Sequence, residues 1–498
     1  MKTELLPASS PSLGEILERM ILRAAAREPA SFVDLVAAAG LDPTTDFVGA
    51  SLAGLDLRGE DLRGFNFSGA DLVGADLRGA NLTGVSLNDS DLDGAKLEGA
   101  IGVRLQIAAT HTTSGDSALP SGFDISEVQR MVVAGISPPE EWRPYIRGLS
   151  FRHERKLKDL TPLTSLTKLV SLDIGYTDVS DISPLQFLSK LVQLNITCTE
   201  VVDLSPIARL LDLEVLLLRV TDITEISALA SLTKLRELDL FGTQISDFSP
   251  LAALINLQKI NLVGTRIEDL SPLARLFKLE QLDLAATKIK SVFALNNLPR
   301  LKRLILRATP IDTRSLRGLK KLESLELNWS EISDLSALRE LTQLKELDLS
   351  KTNVTDLSPL SRLTTLEQLN LSRTNVGELS PLGGLIALKE LDLTGTPVRD
   401  LSPLADILAL QRLELRETGV RDVSLLARLV NLRYLGLTRT QVQNVSPLTN
   451  LTNLKRLNVR STPVRDWSAL KNIRGLRVGW SPIRSKRAAR GRSAEQAD

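Results

Sequence analysis

The sequence predicts an α/β solenoid: a curved stack of short parallel strands, each returning through a helical turn, with a second coil of smaller period ahead of it. Three observations predict it. From Leu169 to Ile483 one motif of about 22 residues recurs with only its polar positions changed. Between residues 46 and 102 the apolar period is five instead. The chain is 43% apolar but only 4% aromatic, a balance that suits a thin repetitive core better than a wide globular one.

The clearest copy of the long motif is L-K-E-L-D-L-S-K-T-N-V-T-D-L-S-P-L-S-R-L-T-T, Leu344 to Thr365. Its opening leucine recurs at Leu169, Leu191, Leu213, Leu235, Leu257, Leu279, Leu301, Leu322, Leu366, Leu388, Leu410, Leu432 and Leu454. The step from Leu301 to Leu322 is one residue short, which places a deletion in the loop around Ile311 to Leu316. Within each unit L-x-x-L-x-L alternates at period two, the pattern of a strand with one buried face. One unit cannot bury its leucines alone, so its neighbours must supply the other walls. At roughly 4.8 Å per strand, about fifteen units make a parallel sheet on the order of 70 Å long. Pairs such as Ser183-Pro184, Ser358-Pro359 and Ser402-Pro403 predict the return path, with serine as helix cap and proline at the first helical position. The turns are short enough to be 3₁₀. A wide outer turn opposite a narrow strand bends the stack, leaving the sheet on the concave side.

The pattern L-x-x-L-x-L-x-x-T-x-I/V-x-D-L-S-P-L-x-x-L resembles the 22-residue leucine-rich repeats of internalin-like bacterial proteins. The resemblance implies a right-handed horseshoe with a concave parallel β-sheet and short 3₁₀ turns on the convex side. One departure is threonine at the ninth position, from Thr177 to Thr462, where that family has asparagine. A hydroxyl can satisfy a nearby carbonyl but cannot reproduce an amide ladder with two donors. In the shorter period, Ala70 to Gly84 (A-D-L-V-G-A-D-L-R-G-A-N-L-T-G) resembles the pentapeptide repeats. This implies a right-handed quadrilateral β-helix with Leu or Phe on the axis and Ala70, Ala75 and Ala80 at the other inward position.

The expected order is a helical amino-terminal cap (1–45), the pentapeptide β-helix (46–102), a linker with the amino-terminal cap of the horseshoe (103–145), the leucine-rich repeats (146–483) and a disordered basic tail (484–498). Helices are expected near residues 13–27 and Phe32 to Ala39 in the first cap, with partner binding as the alternative role, and from Asp124 to Ala134 in the second. Trp142 and Tyr145 are placed over the open end of the leucine core. Ile473, Leu476, Val478, Trp480 and Ile483 are read as the last, shortened unit.

No enzyme, cofactor or metal site is expected. His111, His153 and the single Cys198 are too few for a metal cluster, and no phosphate-binding loop or nucleophile elbow occurs. With 61 basic and 60 acidic residues there is no global field to attract nucleic acid, which is not an expected partner. The acidic five-residue segment is too short to imitate duplex DNA usefully and is read as a structural or docking module. The expected protein is a monomer. No signal peptide or membrane span is apparent, so the cytoplasm is the expected compartment, with signal-independent export left open.

A non-enzymatic scaffold that binds a protein partner on the concave face is the function expected; an exported effector or regulator that uses the repeats for target recognition is the alternative. Position five, which carries Asp173, Asp283, Asp348, Asp392 and Glu414 among others, is read as a solvated face whose asparagines limit repulsion. Departures from this polar rule mark candidate anchors: Val215, Leu217, Arg219, Val220 and Phe241 in one group, and Ile305, Arg307 and Trp329 in another. Tyr176 and Tyr434 are further candidates. Exposed apolar and aromatic side chains flanked by arginine are what protein interfaces enrich. Lys351, Arg373, Arg416, Arg439 and Arg460 form a basic rim.

Overall fold

The computed structural model describes residues 120–479 without a break and, before them, part of the stretch between residues 32 and 95. The helix expected at 13–27, most of the linker, Trp480, Ile483 and the basic tail lie outside the described residues. The chain divides into two compact units, residues 1–108 and 109–498.

In the first unit the five-residue period becomes a column of buried side chains, Phe47, Leu52, Leu57, Leu62, Phe67, Leu72, Leu77 and Leu82, with Ala50, Ala70, Ala75 and Ala80 at the second inward position. Amides bond to carbonyls about 20 residues away, as in Leu52 N–H to Asp71 O at 2.6 Å and Leu57 N–H to Asp76 O at 2.8 Å. Asn66 and Ser86 pair as a parallel bridge. Each corner closes with a bond of the Phe65 N–H to Leu62 O kind, and Gly64 supplies the positive φ of 83° that such a turn needs. Phe32 and Val36, from a helical segment, are buried in the same core, and the Glu60 carboxylate accepts the Phe32 and Val33 amides at 2.8 and 3.3 Å.

In the second unit sixteen strands of three residues each, β1 (Gly148–Ser150) to β16 (Arg477–Gly479), form one parallel sheet in sequence order. Consecutive strands pair position for position: β10 (Glu346–Asp348) meets β11 (Gln368–Asn370) through Glu346–Gln368, Leu347–Leu369 and Asp348–Asn370. The leucines of positions one, four and six are buried along the array. Helix α1 (Ile125–Val133) is capped by Asp124, which accepts the Ser126 amide, and buries Val128 and Val132 in the leucine core beside the half-buried Trp142. The helix thus packs against the first coil of the array.

The register slip is absorbed without disturbing the sheet, because Leu304 of β8 (Arg303–Ile305) still pairs with Leu325 of β9 (Ser324–Glu326). The return turn changes instead: Thr313 to Gly318 is a six-residue 3₁₀ segment capped by Asp312, and the Ser315 hydroxyl accepts the Val292 amide of the preceding unit at 3.1 Å.

Serine does not cap the return turns. In the turn Ser183–Phe187 serine is the first 3₁₀ residue, proline the second, and the cap position is Ile182, which is buried. The cap group lies one residue further back, where Asp181 accepts both the Ser183 amide (2.8 Å) and its hydroxyl (2.9 Å). The preceding residue must fill the core, so the acceptor moves to a side chain that can reach two residues forward. Asp247 and Asp400 repeat this, and the serine amide, then the serine hydroxyl, hold both carboxyls below the ordinary carboxylate range. A depressed carboxyl stabilises the fold above its unfolded value near pH 4 and loses that contribution as pH falls through its folded value. We therefore expect thermal stability to fall on acidification below about pH 4, and the combined Asp247→Asn and Asp400→Asn variant, which keeps the acceptor but cannot titrate, to show a shallower acid limb in melts recorded against pH.

Candidate partner-binding surface

Position five is not a solvated face. Its side chains are half-buried and serve the backbone: Asp173 accepts the Gly175 amide at 2.8 Å, Asp283 that of Ala285 at 2.9 Å, and Asp348 that of Ser350 at 2.8 Å. Asparagine does the same, as Asn195 does for Thr197 at 2.9 Å, so a side-chain oxygen two residues back matters more than charge. Asn261 also donates to Asp239 at 3.2 Å, the charge-relieving contact expected of the alternation. Burial raises the carboxyls of Asp283, Glu326, Asp348 and Glu414. Leu217 and Ile305 stand at this position without any acceptor, half-buried in the sheet between Asn195 and Asp239 and between Asp283 and Glu326 respectively.

Position eight carries the least expected feature. Its backbone is left-handed along the array, with φ of 59° at Tyr176, 53° at Cys198, 50° at Val220 and 59° at Trp329, and likewise at Ala286, Ala308, Lys351, Arg373, Glu417, Arg439 and Ser461. The amide at this position donates to the position-seven carbonyl of the next unit, as Val220 does to Phe241 and Trp329 to Ser350, so the strand edge continues as a second ladder. Gly242, Gly264 and Gly395 occupy the same place with φ near 68°. Those three glycines, each at the eighth position of its unit, are the sequence signal that could have revealed the turn.

This geometry joins Tyr176 to the first group of candidates. Tyr176, Cys198 and Val220 follow one another along the edge, and the Arg219 guanidinium lies 5.1 Å from the Phe241 ring centre and 3.7 Å from Asp239. Arg152 covers Tyr176 at 5.0 Å, with His153 at 4.5 Å. Tyr176 is 37% exposed and Val220 51%. In the second group Trp329 is 59% exposed, with the Lys351 ammonium 3.3 Å from its ring centre, while Ile305 and Arg307 precede it by one strand.

Tyr434 stands apart, on β14 (Tyr434–Gly436). Its hydroxyl donates to Glu414 at 2.6 Å and its ring lies under Arg412 at 4.2 Å. Burial, then the Glu414 carboxylate, push that hydroxyl far above the usual phenol range. Gly436 leaves room for the arrangement, because a Cβ there would overlap the Glu414 carboxylate. Asp392 pairs with Glu414 across the sheet, but Glu414 is occupied by Tyr434 and the Arg416 amide. Of the basic rim, Arg416 and Arg439 both meet Glu417.

An apolar row was missed from the sequence. Two residues before each opening leucine, Leu211, Ile255 and Phe277 in the early units and Ile386, Leu408 and Val430 in the later ones are exposed. Their 22-residue spacing is visible in the sequence but merges with the buried leucines beside it.

Comparison with known proteins agrees with the repeat assignment. Residues 45–84 and 66–101 match the pentapeptide repeats (8 copies), and residues 212–253, 235–275 and 364–406 match the leucine-rich repeats (2 copies). None of the curated proteins matches the chain. Among solved structures, a leucine-rich-repeat protein of Leptospira interrogans is similar at TM-score 0.61 and 20% identity, over 68% of this chain and 97% of that one. An internalin of Listeria monocytogenes gives TM-score 0.49 at 28% identity, over 71% and 94%. A plant peptide hormone receptor in complex with RGF2 gives TM-score 0.50 at 19% identity, over 64% and 56%. Among the described residues no helix is long and apolar enough to cross a membrane.

Proposed function

We propose, from the premise that this is a leucine-rich-repeat protein with pentapeptide repeats ahead of the array, that the protein is a non-enzymatic scaffold whose strand face, the concave side of the expected arc, captures a protein partner. The observation that carries the reading is the exposure of large apolar side chains at position eight, where the backbone is left-handed along the array. A left-handed residue other than glycine costs about 1–2 kcal/mol, and a β-branched one such as Val220 is a rare occupant. Three units use glycine there without loss of the ladder. Tyr176, Val220 and Trp329 therefore bear a local cost while leaving apolar surface exposed, Tyr176 beside Arg152 and His153 and Trp329 beneath Lys351. Ala286, Ala308, Lys351, Arg373, Glu417, Arg439 and Ser461 share the left-handed turn, so the strain belongs to the position and the exposed apolar side chains are what mark these three units. The similar receptor with its bound RGF2 is one instance of this fold holding a polypeptide.

Leu217 and Ile305 give each group an apolar floor, and Arg219 and Arg307 a cationic border, the make-up of an interface anchor. The test is affinity capture with the full chain followed by comparison of Leu217→Asp and Trp329→Ala. Each is expected to weaken retention of the same partner by about tenfold or more. Unchanged recovery of every partner sinks the reading. Val220→Gly adds a sharper check: it is expected to raise stability in urea by about 1 kcal/mol while lowering capture. A variant that is no more stable and binds as before would show that Val220 carries neither strain nor recognition.

A further inference from the structure

The net charge of the chain conceals a segregation. Residues 410–479 hold 13 Lys and Arg against 4 Asp and Glu. Part of this excess is stacked along the edge where strands begin. Lys389, Gln411, Arg433 and Lys455 precede β12 (Glu390–Asp392), β13 (Arg412–Glu414), β14 and β15 (Arg456–Asn458), and each amide from Gln411 onward donates to the carbonyl of the one before, at 2.7–2.8 Å. Earlier on the same edge the cations are matched: Lys302 and Lys345 both meet Glu323, and Lys389 meets Glu367. Among the described residues no carboxylate lies within ion-pair distance of Arg433 or Lys455.

Beside these cations runs the later part of the apolar row. Ile386 is 67% exposed, Leu408 49% and Val430 46%. Asn431 and Asn453 donate to the Leu408 and Val430 carbonyls at 2.8 and 2.9 Å, which fixes the backbone of the row. Between the two rows lies a groove of about 300 Å³ lined by Lys389, Gln411, Arg433, Asn431 and Asn453.

We propose that this strand-start edge is a second docking site, taking an acidic polypeptide segment that also bears aliphatic side chains. The carboxylates of such a segment would meet Arg433 and Lys455, and its aliphatic groups the Ile386, Leu408 and Val430 row. Charge complementarity selects an anionic occupant, and the aliphatic row selects polypeptide over nucleic acid, whose binding to single strands relies on aromatic platforms. The nearby ring, Tyr434, is covered by Arg412 and bonded to Glu414. The site is separate from the anchors above, since Trp329 follows β9 and the groove lies beside β12 to β15.

Fluorescence anisotropy with the full chain tests this, using a fluorescein-labelled peptide repeating Glu-Leu-Glu-Gly, an oligoglutamate of equal length and an oligothymidylate. The Glu-Leu peptide is expected to bind most tightly. Combined Arg433→Glu and Lys455→Glu should weaken it by about tenfold or more, the equivalent of about 1.4 kcal/mol. Leu408→Asp should erase its advantage over oligoglutamate, and Trp329→Ala should leave it unchanged. Tighter binding of oligothymidylate, or peptide binding indifferent to both edge variants, overturns the proposal. All three substituted edge residues are exposed, and far-ultraviolet circular dichroism confirms that the variants fold.

Discussion

Truncating Leu349 to alanine is expected to destabilise the leucine-rich array by about 2–5 kcal/mol, measured by urea unfolding. Leu349 follows β10 at the sixth position of its unit and is wholly buried, as are Leu327 and Leu371 at the same position on either side. In a stack of this kind each side chain forms part of the walls of two neighbours, so a central cavity weakens two interfaces at once. Collapse around the gap is resisted by the ladder, because the Leu349 amide is tied to Asn370 O at 2.9 Å. The control is Val478→Ala in β16, whose register partner Leu457 is at the fourth position of its unit. Val478 is only partly buried at the last described coil, with a strand neighbour on one side among the described residues, and its truncation is expected to cost less than about 1.5 kcal/mol. Equal costs at the two sites would mean that the core is not shared between units.

The contrast between these sites shows why so much of the fold was legible. Leucines at positions one, four and six state the strand phase and the stacking partner together, and the phase survives even the short step between Leu301 and Leu322, where β8 and β9 keep their register. What could not be read was the work of polar side chains. Aspartate two residues before Ser-Pro and aspartate within the strand look alike in sequence, yet Asp181 closes a turn while Asp173 satisfies a strand-edge amide. Hydrophobic periodicity is blind to both. The left-handed position is harder still, because Tyr176, Val220 and Trp329 occupy it where Gly242, Gly264 and Gly395 alone would have announced it. At the candidate surface the proposed anchors are legible as apolar exceptions to a polar rule, with exposure now added at Tyr176, Val220 and Trp329. The engagement of Tyr434 was not, since it depends on Gly436 leaving room for a carboxylate that belongs to the previous unit.

The threonine column supplies the second large effect. Thr352 is buried, and its hydroxyl donates to Leu349 O at 2.6 Å; the same bond recurs along the column, as from Thr177 to Ile174 O and from Thr462 to Val459 O, both at 2.7 Å. Each threonine thus serves its own coil, so the column is a series of separate bonds, unlike an asparagine ladder running between coils. Replacement by valine keeps the volume but strands a buried carbonyl, at a cost of about 1–3 kcal/mol. The cost should be graded along the chain. At Thr396 the backbone amide also donates to the same acceptor, Leu393 O, at 3.1 Å, while the Thr352 amide makes no such bond among the described residues. Thr352→Val is therefore expected to be more destabilising than Thr396→Val in urea unfolding, and the double substitution additive, because the two sites share no bond. Ser330 is the natural exception: its hydroxyl reaches only Leu306 O of the preceding coil, at 3.5 Å. Ser330→Thr, which restores the shape of the column in the unit that presents Trp329, should stabilise the array. A loss of stability there would show that the unit departs from the rule for steric reasons and not for want of a methyl group.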